Sequence, residues 1–217
     1  MRALPMKAEY GPTLGGLLAP RWHAASLRAR ALAAAVLVAV PALLLAAGLT
    51  LENAHYSHGG PVPFGFAYRD LYRVRPDPGG YVKVQSRYGN GALRYSYAVD
   101  PLRLPPYSGE SSGELPIYAA GYARMLSRVY RGFNLAVEGK TMINSTQSGY
   151  QLAYEAEVEG QRMWVRDIML VPGGAGVRDG VVVVAMSAPH AAKAVTSPRE
   201  VASVGVLLRP VKTFAFG

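Results

Sequence analysis

The chain has 217 residues, half of them hydrophobic, and a formal charge of +9. It contains no cysteine, which excludes a disulfide framework, a thiol nucleophile, a zinc–thiolate site and a lipoprotein anchor cysteine. So much apolar residue excludes wholesale disorder, and the mild basic excess from residue 52 onward, 18 Lys and Arg against 13 Asp and Glu, admits an anionic partner without demanding one.

Residues 1–30 mix Pro, Gly, Arg and scattered apolar side chains without a period and read as a basic cytoplasmic tail, with an interfacial stretch around Leu17–Leu27 that carries Trp22. Ala31–Leu51, ALAAAVLVAVPALLLAAGLTL, then runs without a charge between Arg28 and Arg30 on one side and Glu52 on the other. At ~1.5 Å per residue a helix of this length reaches about 31 Å, one hydrocarbon core, and Pro41 in its middle is tolerated in a membrane span. Arg21, Arg28 and Arg30 precede the span and no Lys or Arg follows until Arg69, so the positive-inside rule puts the N-terminus in the cytoplasm and the rest of the chain outside. A cleaved signal peptide is the alternative: Ala46 and Gly48 supply small residues at a cleavage site, but both leader and apolar run are long for one. The span has no in-register GxxxG, though Ala42, Ala46, Ala47 and Gly48 offer small residues to another helix. The Ala, Val, Arg and Gly bias is that of a bacterial protein from a GC-rich genome.

Residues 52–63 read as a linker, broken by Gly59-Gly60-Pro61, and residues 64–217 as one extracytoplasmic domain. Within it the period changes to two. Phe64 to Val74 sets Phe64, Phe66, Tyr68, Tyr72 and Val74 against Arg69, Arg73 and Arg75. Tyr81–Tyr88 sets Val82 and Val84 against Lys83 and Arg87; Asn90-Gly91 is a hairpin signal, and Leu93, Tyr95, Tyr97 and Val99 then alternate with Arg94 and Ser96. Three antiparallel strands in a meander are expected. Ser111 and Glu114 fit a capping box, and Leu115, Tyr118, Ala119, Tyr122, Met125, Leu126 and Val129 recur at helical spacing, which predicts a helix over Glu114–Arg131. Further strands are expected at Phe133–Val137, Gly149–Val158, Arg162–Val171 and Gly180–Ser187, the last with an interior VVVV run. Ser197 and Glu200 form a second capping box, expected to open a helix to about Leu208 that Pro210 stops. Strands, helix, strands and helix in that order define an α+β domain with an antiparallel sheet.

The opening meander, the Glu114–Arg131 helix, the hairpin GYQLAYEAEVEGQRMWVRDIMLV at Gly149–Val171 and the closing SPREVASVGVLLRPVKTFAF give a domain that resembles the Mog1/PsbP-like α/β group, including its single-span actinobacterial versions. The resemblance covers roughly Phe64–Phe216 and implies a non-enzymatic accessory, assembly or binding role.

Candidate chemistry is sparse. His55 and His58 form an HxxH pair with no third ligand in reach, and His190 has no nucleophile elbow beside it. Glu155, Glu157 and Glu159 share a strand face that cross-strand partners Arg162 and Arg166 account for. Gly79-Gly80 and Gly173–Gly176 are turns, with no Lys-Ser/Thr to make a phosphate loop. No catalytic, metal or cofactor residue is assigned. The expected binding surface is the basic parity of the meander, Arg69, Arg73, Arg75, Lys83, Arg87 and Arg94, facing anionic headgroups, a wall polymer or an acidic protein. Nucleic acid is not expected, because Tyr and Arg fall on opposite faces. The primary expectation is a membrane-anchored accessory subunit that contacts the bilayer through Ala31–Leu51 and a membrane or envelope protein besides. A small-ligand or lipid binder lined by Tyr95, Tyr97, Tyr118 and Tyr122 is the alternative, and an enzyme using Glu155 or Asp167 a third.

Overall fold

Alternating apolar and polar residues build most of this domain, and one long crossing decides how the strands are ordered. The computed structural model describes residues 26, 38–39, 53–106, 111–174 and 176–217, and Asn53–Gly217 form one compact unit. The strands are β1 (Ala54–His58), β2 (Phe64–Tyr68), β3 (Tyr72–Val74), β4 (Val82–Arg87), β5 (Leu93–Arg103), β6 (Asn134–Ile143), β7 (Gln147–Val158), β8 (Gln161–Leu170), β9 (Asp179–Ser187) and β10 (Ala215–Phe216). The helices are α1 (Ser111–Val129) and α2 (Leu208–Thr213), with a 3-10 turn at Pro198–Glu200. The result is an α+β domain with antiparallel sheets and two helices.

Seven strands form the main sheet in the order β3-β4-β5-β9-β8-β7-β6. The chain lays down β3 to β5 as a meander, passes through α1 to the far edge, and returns through β6, β7 and β8 to insert β9 against β5. Val181–Val184 therefore fill the central strand, buried on both faces, as a continuous β-branched run requires. The neighbouring Gly180 leaves room for hydrogen only: a Cβ there would sit 2.2 Å from the Leu170 carbonyl oxygen. A small second sheet, β1-β2-β10, covers one face of the main sheet. Its Phe64 and Phe66 pack on Phe214 and Tyr97, with ring centroids 5.6 and 4.8 Å apart. α1 covers the other face over β7 and β6.

Several expectations need correction. The expected linker at 52–63 contains a short strand: Ala54–His58 pairs with β2, and only Glu52 and Asn53 separate Leu51 from it. The expected strand from Phe64 to Val74 is two strands in two different sheets, broken where Asp70 takes φ 60°, a conformation Asp tolerates better than most side chains. On α1, Leu115, Ala119 and Leu126 are buried, but Met125 is 44% and Val129 65% exposed; both lie outside the stripe that meets the sheet. β6 runs ten residues rather than five. The second capping box opens no long helix. The Glu200 carboxylate turns back to the Thr196 backbone N–H and hydroxyl at 2.6 and 2.8 Å, the left-handed Ala202 and Gly205 break the run, and α2 begins later. Pro210 sits inside the first turn of α2, where its missing N–H costs nothing, instead of stopping a helix. The transmembrane segment expected at Ala31–Leu51 lies outside the described residues except for Val38 and Ala39, which are helical. Among the described residues no helix is long and apolar enough to cross a membrane.

Candidate functional site

The expected basic face is divided by strand register. Tyr72 and Val74 of β3 stand opposite Gln85 and Lys83 of β4, whereas Arg73 stands opposite Val84. Directly paired residues share a face, so Arg73 points away from the side that carries Lys83. Five of the six cations also have local company. The Lys83 ammonium pairs with Asp77 at 3.0 Å. Arg87 donates to both carboxylate oxygens of Glu159 at 2.8 and 3.0 Å and to the Gly91 carbonyl at 2.9 Å, and its guanidinium holds the Glu159 carboxyl below the usual carboxylate range. The Arg94 guanidinium lies 5.5 Å and 5.2 Å from the Tyr88 and Tyr95 ring centres and donates to the Ala191 carbonyl at 3.2 Å. Arg69 sits in the β2–β3 turn beside Asp70, and Arg73 lies 5.1 Å over the Tyr56 ring, with Arg75 just beyond β3.

The four tyrosines proposed as a lining fall on two sides of the sheet. Tyr97 is buried beneath the small sheet and α2; its hydroxyl donates to the Pro210 carbonyl at 3.4 Å. Tyr95 shares that face of β5. Tyr118 and Tyr122 stack on each other along α1, centroids 6.2 Å apart, over the opposite face. No single cavity joins all four.

What the fold does assemble lies under α1, around Asp167. This residue sits mid-strand in β8 between Leu152 of β7 and Val184 of β9, and is fully buried. Its Oδ2 accepts the Tyr154 hydroxyl at 3.1 Å, while Oδ1 has no hydrogen-bond partner among the described residues. Burial pushes its carboxyl up to about 7, against the opposing pull of the Tyr154 and Tyr122 hydroxyls; the charge of Asp100, on the same side of the sheet, raises it further. Tyr154 is itself wedged between Phe133 and Tyr130, centroids 4.9 and 6.4 Å away, and burial beside Asp167 drives its hydroxyl well above the ordinary tyrosine range. Chemically this cluster can hold and release a proton near neutrality. It is closed to a substrate, since Asp167 has no exposed surface.

Arg166, the neighbour of Asp167, points to the other face. Its Nε donates to Gln151 at 2.8 Å, Nη1 to Ser203 Oγ at 2.7 Å and the Val201 carbonyl at 3.2 Å, and Nη2 to Thr141 at 3.2 Å. One guanidinium thus ties β6, β7 and the turn after Pro198–Glu200 together, a job for its rigid fork of donors. The sequence signal for both sites is the Arg-Asp pair inside the apolar run MWVRDIML.

The remaining candidates occupy structural places. His55 and His58 lie three apart on a strand and so on opposite sides; His58 stacks 5.1 Å from Phe64 and 4.4 Å from Tyr81. His190 is in the loop after β9, edge-on to Trp164 at 6.0 Å. Glu155 accepts from Trp164 Nε1 at 3.1 Å and pairs with Arg162. Among the described residues no three His, Cys, Asp or Glu side chains converge to hold a metal ion.

Fold and site together define an antiparallel α+β domain whose buried chemistry is a carboxyl–tyrosine cluster. No family model matches the chain, and no curated protein does. Among solved structures, LpqN, involved in cell envelope biogenesis of Mycobacterium tuberculosis, is 10% identical, with a TM-score of 0.48 over 75% of this chain and 90% of its own. PA94 from Pseudomonas aeruginosa, a protein of unknown function, is 15% identical, with a TM-score of 0.34 over 64% of this chain and 84% of its own.

Proposed function

We propose that this chain is a membrane-anchored, non-enzymatic accessory or binding subunit. It displays its α+β domain on the outer face of a bacterial cytoplasmic membrane, within a larger membrane or envelope complex. The observation that carries the reading is the uncharged run Ala31–Leu51, preceded by Arg28 and Arg30 and followed three residues later by the first strand of a closed domain. The acids an enzyme would use are already engaged: Glu155 by Arg162 and Trp164, Asp167 beneath tyrosines and away from solvent. The Mog1/PsbP-like resemblance belongs to this proposal and favours the same non-enzymatic role. The small-ligand reading loses its support because Tyr95 and Tyr97 stand on the face opposite the one that Tyr118 and Tyr122 cover.

Purification of the tagged full-length chain from its native membrane in mild detergent is expected to bring down a membrane or envelope protein in near-stoichiometric amount. A chain that purifies alone in several mild detergents would overturn the accessory-subunit role.

A further inference from the structure

We infer that the end of the domain where the chain enters is a lipid-facing rim that binds anionic headgroups. The inference rests on the anchoring reading and names the partner of one particular surface.

The chain enters the domain at Ala54, which stands opposite Tyr68, the last residue of β2. Leu51 and Ala54 are three residues apart, so that even fully extended chain carries the first strand at most about 11 Å beyond the end of the apolar run. A domain on so short a leash keeps this end within reach of the headgroups. Arg69 follows Tyr68 directly, and Arg73 follows on β3, lying over Tyr56 of β1. The C-terminal helix adds to the same end. The Ala67 N–H donates to Thr213 Oγ1 at 2.9 Å, and that hydroxyl donates to the Arg209 carbonyl at 2.8 Å, so α2 sits beside the last residues of β2. Arg209 and Lys212 of α2 are exposed. Four cations thus gather here from segments far apart in sequence, and the acids beside them are Asp70, 3.8 Å from Arg69, and Glu52 in the chain just before the domain. Tyr72, 49% exposed beside Gln85, adds an amphipathic ring of the kind that settles at a bilayer interface. Cations within a Debye length of an anionic surface are drawn to it, and salt weakens the attraction.

The absence of native cysteine makes the test direct. The full-length chain, with a fluorophore on Tyr72→Cys at the rim or on Gly173→Cys in the β8–β9 turn, is reconstituted in nanodiscs containing spin-labelled lipid. Discs of phosphatidylcholine with phosphatidylglycerol are compared with phosphatidylcholine alone. The expected result is quenching of the residue 72 label in the anionic discs and none at residue 173. High salt, the neutral discs, or Arg69→Glu, Arg73→Glu and Arg209→Glu together should reduce the quenching about threefold or more. A chain that enters the discs but shows no quenching at residue 72, or quenching indifferent to lipid charge, overturns the rim and leaves the anchor standing. A chain that fails to enter the discs at all overturns the anchoring reading, and the rim with it.

Discussion

Asp167→Asn should flatten the pH dependence of stability and stabilise the domain at neutral and alkaline pH. The reference carboxyl of Asp titrates near 3.8, whereas burial raises Asp167 to about 7. As pH rises through that window the unfolded chain has already released its proton while the folded chain must hold on to it. Stability therefore falls between about pH 4 and pH 7 and is level above. A displacement of roughly three units corresponds to about 4 kcal/mol at full effect. The groups that face Asp167 are the Tyr122, Tyr130 and Tyr154 hydroxyls and, at longer range, Asp100. Asp100 is also raised, chiefly by burial, so a smaller slope of the same sign remains in the variant. Urea unfolding at a series of pH values from 4 to 8 measures this. A wild-type profile that rises with pH over the window, or an unchanged slope in the Asn variant, would contradict it.

Arg166→Met should cost about 2–4 kcal/mol despite keeping most of the apolar stem. The guanidinium satisfies Gln151, Thr141, Ser203 and the buried Val201 carbonyl, and its removal leaves these acceptors without a donor. Arg166→Lys should fall between, since an ammonium cannot span four partners in one plane. The loss should be local as well as global: amide exchange should quicken around residues 201–203 and at the β6 edge before the central strands respond. Equal protection across the sheet in the Met variant would show that Arg166 ties nothing down.

The legible part of this fold was whatever a local period writes. The strand runs at Val82–Arg87, Gln147–Val158, Gln161–Leu170 and Asp179–Ser187, the Asn-Gly hairpin and the α1 stripe all follow from alternation or helical spacing. The insertion of β9 beside β5 depends on contacts between segments far apart in sequence, from Arg103 with Asp179 to Tyr95 with Ser187, which no local pattern records. The basic face is divided for a related reason. Alternation tells which residues of one strand share a side, but the register across the β3–β4 connection decides how the sides of two strands match, and Arg73 ends opposite Val84. The rim at the chain entry was invisible because Arg209 and Lys212 reach it only through the docking of Thr213 on Ala67. Asp167 was named as an acid without its meaning. Its place in the apolar run MWVRDIML is a signal of burial that the sequence reading did not draw, and only the register brings tyrosines to meet it.

The central claim is that Ala31–Leu51 stays on the chain and holds the domain outside the membrane. Full-length protein carrying Gly173→Cys, expressed in a bacterial host, tests it in one preparation: alkaline carbonate extraction of the membranes, intact mass, and labelling of whole cells with a membrane-impermeant maleimide. The expected result is an unprocessed chain that stays in the carbonate pellet and labels from outside. A chain shortened at Ala46–Gly48, released by carbonate, or labelled only after the cells are broken would contradict the account.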